Sequence, residues 1–397
     1  MGPRGRAPRA DRLYALFHCA YWIGPGIYGP FLYPLLAARG VASWQLGLLA
    51  AVTPLCALAV QPAVGWLCDR TGRARLVLGV LAVCSAGLLP LFARAHGMGG
   101  ELAVVLPFAV VNAPTAPLGD ALTIAYLGPR ASDYGRFRLW GSLSFAVAGV
   151  AAGLALRSGA LGLPGAYLLA AAFVALPGPL ALAFPADLAP RHPSAPTPGR
   201  ARPLRALLGP AGRPFLGFVA LAAAGTLAFN VQGTYFSVDL ARLGGSAFGQ
   251  GLGWALPAAI EAPFFLAAAA MERRLGIRRT LLLAFFCEAA AVLAIAQARG
   301  PGTAIAGMAL QGPAFALFYG ASVPAVDRLV PPGLRASAQT LLWAGCFGLG
   351  AVAANLGGAA AVAAVGLQGL YRALLVCALA AAALFWALGP RALPEAP

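Results

Sequence analysis

Apolar residues run along the chain in stretches of about twenty, and the charged positions fall almost entirely in the breaks between them. That length is what an α-helix needs to cross the hydrocarbon of a bilayer with all its backbone polar groups paired internally. Cutting at the charge-bearing breaks predicts twelve spans, near 13–38, 44–68, 76–95, 102–127, 138–157, 165–185, 214–240, 248–271, 280–298, 303–327, 338–363 and 367–388. The expected fold class is an all-α integral membrane protein with twelve transmembrane helices in two pseudo-symmetric six-helix halves.

Composition strengthens this reading. Of 397 residues, 60% are hydrophobic and 10% charged, against roughly a quarter charged in soluble globular domains. The net charge of +16 would suit a nucleic-acid binder, but the 28 basic residues are all arginine and sit between apolar segments, not in a stripe with interleaved aromatics. They read as topology determinants. With the N-terminus inside, 22 arginines fall on the inner side and 6 on the outer, so the positive-inside rule puts both termini in the cytoplasm. The bias toward Ala, Gly, Pro and Arg suggests a GC-rich bacterial genome, hence a bacterial inner membrane. The basic start (Arg4, Arg6, Arg9, Arg12) imitates a secretory signal, yet the apolar run that follows is too long for one and reads as a retained first helix. Seven scattered cysteines form neither a CxxC pair nor a Cys/His cluster, so neither a metal site nor a disulfide framework is expected.

The longest polar stretch, 186–213, follows the sixth span and predicts a cytoplasmic linker between an N-terminal half, 1–185, and a C-terminal half, 214–397. An internal repeat supports the division. Gly72 and Arg75 after span 2 recur as Gly276 and Arg279 after span 8, Pro54 as Pro257, and Leu139-Trp140 as Leu342-Trp343. Parallel halves with a site between them at mid-depth are a transporter architecture.

Gly65-Trp66-Leu67-Cys68-Asp69-Arg70-Thr71-Gly72-Arg73-Ala74-Arg75 resembles the G-x-x-x-D-R-x-G-R-x-R signature between helices 2 and 3 of the major facilitator superfamily. The resemblance implies that fold and a gating role for Gly65, Asp69, Arg70, Gly72 and Arg73, which would latch the outward-facing state. Tyr134-Gly135-Arg136-Phe137-Arg138-Leu139-Trp140-Gly141-Ser142 is similar to the segment entering helix 5 in the oligosaccharide and nucleoside proton symporters. Tyr21-Trp22 through Pro30-Phe31-Leu32, and Ala259-Ile260-Glu261, resemble the phenylpropionate permease group. In the symporters an acidic residue of helix 4 and an arginine eighteen residues later hold the sugar; Asp120 and Arg138 have that separation.

Charges inside spans are costly unless paired or facing water, so each one is a functional candidate. Asp120 and Arg138 lie on antiparallel neighbours and could grip hydroxyls or a carboxylate, or could form a structural ion pair. Ser142 and Phe145 share the helical face of Arg138, and His18, Tyr21, Pro25 and Tyr28 make a second aromatic face on span 1. Asn230, Thr234 and Ser237 on span 7, and Gln311, Phe315, Phe318 and Ser322 on span 10, could line a cavity or hydrogen-bond between helices. Substrate contacts are expected from Asp120, Arg138, Ser142, Phe145, Tyr21, Asn230 and Gln311. Glu261, near the middle of span 8, and Asp120 are the expected proton-coupling carboxyls. Glu288, about two turns from the cytoplasmic end of span 9, ranks behind them.

The chain departs from the symporter pattern where the helix 10 histidine and its glutamate, and the helix 9 arginine, would stand. The matching positions are Gln311, Ala314 and Ala291. The three histidines, His18, His96 and His192, share no span and no HExxH occurs, which speaks against an intramembrane enzyme. The reading is a secondary transporter that moves a small polar or aromatic solute (sugar, nucleoside or aryl acid) by alternating access with proton symport. Efflux of amphiphilic compounds and uncoupled facilitation are the alternatives. Its expected partners are a small molecule, protons and the bilayer, with no nucleic acid and no cofactor, and the expected working unit is a monomer.

Overall fold

A computed structural model describes residues 8–185, 207, 209, 212–331 and 334–390. Among them the helices are α1 (Pro8–Ala38), α2 (Ser43–Thr71), α3 (Ala74–Ala93), α4 (Gly97–Leu127), α5 (Tyr134–Arg157), α6 (Leu163–Leu182), α7 (Arg213–Arg242), α8 (Ala247–Leu275), α9 (Ile277–Ala296), α10 (Pro301–Leu329), α11 (335–365) and α12 (367–388). Among the described residues nine helices are long and apolar enough to cross a membrane, and one of these, Ser337–Leu388, has 52 residues. That one is two spans, because Gly366 at φ +71 breaks the helix between α11 and α12. With α1 and α8, twelve crossings result. The predicted linker 186–213 lies, but for residues 207, 209, 212 and 213, outside the described residues.

The helices are broken where function tends to collect. α4 is interrupted at 113–114, α7 at Thr226 and α10 at Leu310, and Ala344–Leu349 of α11 forms a π-helical turn. Such interruptions survive in a bilayer only where side chains or packed helices satisfy the freed backbone.

The chain forms two compact units. Among the described residues the first holds 8–41, 55–185 and 246–255, and the second 42–54, 207, 209, 212–245, 256–331 and 334–390. The opening turns of α2 thus belong to the second unit and those of α8 to the first.

In the first unit α1 packs along α5 and α6, and α3 along α4 and α6. Its core holds Tyr14, stacked on Tyr126 at 4.2 Å and on Phe184 at 4.0 Å, with Phe17, Leu78 and Leu122 around it. Small residues set how closely backbones approach, as expected where lipid is as apolar as the side chains. A methyl group on Gly251 would meet the Gly149 carbonyl oxygen at 2.1 Å, and one on Gly26 the Phe145 carbonyl oxygen at 2.6 Å. Arg39, in the α1–α2 turn, donates to the carbonyls of Phe92, Ala93 and Ala95, which the closing 3-10 turn of α3 leaves open, and stands 3.7 Å from the fully buried Glu101. In the second unit α9 packs on α10 and, like α7, on the 350–388 stretch. Phe215, Phe218, Phe285, Leu317 and Phe385 form its core.

The glycine pair of the sequence repeat is matched in structure. Gly72 (φ +66) ends α2 and Gly276 (φ +81) ends α8, both in the left-handed region that closes a helix without strain for glycine. Just beyond each, an arginine donates to a carbonyl of its own unit: Arg75 to Phe184 at 2.5 Å, and Arg278, one position before the Arg279 of the sequence repeat, to Trp386.

Candidate substrate-binding site

The first unit gathers a polar cluster from α1, α4 and α5. Asp120 stands about 10 Å from the end of α4 and Arg138 about 6 Å from the start of α5, at 1.5 Å rise per residue. The Asp120 carboxylate accepts a hydrogen bond from the Tyr134 hydroxyl and lies within the field of Arg138. Among the described residues the two form no ion pair within 4 Å. Arg138 instead lays its guanidinium over the Trp22 ring, 4.1 Å from the centroid, with one nitrogen 3.4 Å from the Ser142 hydroxyl. The aspartate and the arginine therefore keep donor and acceptor capacity that a closed ion pair would consume.

Gly141 makes this stack possible, since a methyl group there would meet Trp22 at 2.4 Å and the Arg138 guanidinium at 2.9 Å. The surrounding groups are held in place. Tyr21 hydrogen-bonds Thr115 at 2.9 Å, His18 hydrogen-bonds Thr123 at 3.0 Å and sets its ring edge-on to Tyr134, and Phe145 meets Trp22 edge-on at 6.3 Å. Of the residues expected from the sequence, the structure thus brings Tyr21, Asp120, Arg138, Ser142 and Phe145 together. Trp22 and Tyr134 stand in the motifs but carried no assigned contact, and Thr115 and Thr123 were missed. Thr123, three residues after Asp120 on the same face of α4, is the one that helical spacing could have found.

The second unit uses its polar residues otherwise. The Asn230 amide nitrogen donates to the carbonyls of Thr226 (2.9 Å) and Cys346 (3.0 Å), the latter a carbonyl of the π-helical turn. Thr234 donates to Asn355 at 2.7 Å across α7 and α11, and Ser237 is buried. Gln311 is buried at the break in α10, next to Gly312, where a methyl group would meet the Pro257 carbonyl oxygen at 2.4 Å and the Glu261 nitrogen at 3.1 Å. Glu261 therefore rides on the turn of α8 that α10 touches backbone to backbone. An aromatic face completes this unit: Phe229 stacks on Phe315 at 5.1 Å, and Trp343 stacks on Tyr319 at 4.8 Å and on Phe347 at 5.4 Å. Glu288 corrects its expected depth. α9 begins at Ile277, so Glu288 is about 16 Å along the helix and near its middle.

At the end of α2, Asp69 and Gly65 border a cleft of about 200 Å³ with Pro117 and Leu122 of α4, Arg70 covers Trp66 at 5.2 Å, and Arg70 and, in the loop that follows, Arg73 are exposed.

Residues 13–373 match the MFS_1 like family. The chain belongs to this family of the major facilitator superfamily. It is 30% identical over 349 residues to the maltose permease of Geobacillus stearothermophilus, covering 85% of this chain and 84% of the relative. It is also 31% identical over 147 residues, 35% of this chain and 37% of the relative, to a protein of Escherichia coli (strain K12) named "Probable 3-phenylpropionic acid transporter". Among solved structures, a crystal structure of a point variant of the nucleoside transporter NupG superposes with a TM-score of 0.82 at 16% identity over 95% of this chain and 99% of that one. The family member described here is thus a multi-pass membrane transporter of the major facilitator type and not an enzyme.

Proposed function

We propose that this transporter is a proton symporter of the bacterial inner membrane for a small ring-bearing polar solute: a sugar, a nucleoside or an aryl acid. Arg138, over the Trp22 ring beside an aspartate with which it forms no ion pair, is the observation that carries the reading. A planar guanidinium offers paired donors to hydroxyls or a carboxylate, Asp120 accepts from hydroxyls, and Tyr21, Ser142 and Phe145 complete the surface. Relatives named for maltose and 3-phenylpropionate support this range of cargo.

In this reading residues 1–185 and 214–397 are the two moving halves, the 186–213 linker and both termini are cytoplasmic, and the protein works as a monomer. The end of α2 and the loop after it gate one face through Gly65, Asp69, Arg70, Gly72 and Arg73. Glu261 and Asp120 carry protons in place of the missing helix 10 histidine.

The test is uptake of labelled maltose, uridine and 3-phenylpropionate into proteoliposomes, with and without an inward pH gradient. Accumulation of one of them above equilibrium only under the gradient is expected. Equilibration without accumulation would make the protein a facilitator, and uptake of none would remove the cargo class.

A further inference from the structure

The second unit contains a carboxyl that the mechanism above leaves unused. Glu288 is the twelfth of the 20 residues of α9 and is 4% exposed. Its Oε1 accepts a 2.5 Å hydrogen bond from the amide nitrogen of Gln232 on α7, itself 0% exposed. The other end of that amide, Oε1 of Gln232, is buried with no donor. A charged carboxylate at mid-membrane without a cation is expensive, and an orphaned carbonyl beside it adds to the cost.

No charge compensates among the described residues. From α7 Gln232 and Thr226 face Glu288, and from α10 Ala314, Phe315 and Phe318. Cys287 adjoins it on its own helix, and the 350–388 stretch brings no charged side chain to it. A pocket of about 20 Å³, room for one water, lies between Glu288, Thr226 and these aromatic residues, where the break in α7 opens the helix backbone.

We infer that Glu288 and Gln232 form a proton-binding site within the second unit, in which the amide turns over as the carboxyl gains and loses its proton. The unprotonated carboxylate accepts from the Gln232 NH2, as observed. When a proton bonds to a carboxylate oxygen the group becomes neutral, and its O–H donates to the orphaned Gln232 oxygen once the amide rotates by half a turn. Each protonation state finds a partner on the same residue, and the one-water pocket admits the proton. The site extends the proposed symport, on which its role in transport rests, by adding a carboxyl away from Glu261.

Infrared difference spectroscopy on the full-length protein in lipid tests the site without reference to transport. A carboxylic-acid C=O stretch should appear as pH is lowered, vanish in Glu288→Gln, and move to higher frequency in Gln232→Leu, where the acid loses its partner. In proteoliposomes with the wild-type solute, Glu288→Gln should lose accumulation under a pH gradient while solute exchange continues. A spectrum in which Glu288→Gln removes no acid band at any pH overturns the proposal, as does normal accumulation by that variant. If the wild type itself concentrates none of the three solutes, the symport reading fails separately, and the site then stands or falls on the infrared band.

Discussion

In the first unit, Asp120, Tyr134, Arg138 and Trp22 meet through their side chains, and the charges stay unpaired with each other. In the second, Asn230 and Thr226 turn toward the Cys346 carbonyl, and Thr234 closes on Asn355. The first arrangement leaves hydrogen-bonding capacity to spend on a solute; the second spends it on interrupted helices. Polar residues at helical spacing within a membrane thus have two uses, which the partner of each group tells apart.

The comparison predicts where mutations act. The largest effect is expected from Asp120→Asn, which removes a charged acceptor: a hydrogen bond to a charged group is worth about 1.5–3 kcal/mol, so solute affinity should fall roughly ten- to a hundredfold while the folded protein yield is kept. Binding assayed by isothermal titration checks this, and unchanged affinity would move the cargo site away from α4. Next, Gly312→Ala drives a methyl group into the Pro257 carbonyl and should cost about 1–3 kcal/mol of stability, read as a lower thermal midpoint in detergent. Asp69→Asn should lower turnover several-fold with affinity preserved, because a gate shifts conformational populations without touching the solute. Loss of affinity at normal turnover would place the end of α2 in the binding site instead.

The smallest effect concerns Asp11, at the entrance to α1 outside the span. Arg130, 3.1 Å away, together with the Tyr126 hydroxyl, holds its carboxyl below the usual carboxylate range. A lowered folded pKa means that this stabilisation is full above the unfolded value near 4 and is lost as pH falls through the folded one. The pair is largely exposed, so it contributes only about 0.2–1 kcal/mol. The difference in thermal midpoint between wild type and Asp11→Asn should be present at pH 7 and be lost as the pH is lowered below the carboxylate range.

Much of the fold was legible because its signals are local. Long apolar runs mark helices, Gly72 and Gly276 mark their ends, and the arginines mark the breaks. The charges that located the breaks also misplaced some helix ends: Arg278 and Arg279 lie within the first turn of α9, which hid the mid-depth position of Glu288. The site was legible in its charges and opaque in its partners. Nothing in the sequence announces that Arg138 lies on Trp22, or that Gly141 is there to admit that ring. The helix breaks at Thr226 and Leu310 were equally hidden, because neither position carries a proline, so the bonds of Asn230 to the Thr226 and Cys346 carbonyls could not be read from its spacing. The exchange of the opening turns of α2 and α8 between the units is a matter of packing alone.

The central claim is that the first unit spends its polar groups on the solute and the second on its own backbone. Affinity for the transported solute and thermal midpoint, measured side by side on Arg138→Lys and Asn230→Leu, test it most directly. Arg138→Lys keeps the charge but loses the planar fork, so affinity should fall about tenfold or more with the midpoint unchanged. Asn230→Leu leaves the Cys346 carbonyl only the 3.5 Å contact from the Thr226 hydroxyl, so the midpoint should fall by the equivalent of about 1–3 kcal/mol with affinity within a few-fold of wild type. A stable Asn230→Leu that no longer binds, beside an Arg138→Lys that binds normally, would contradict the account.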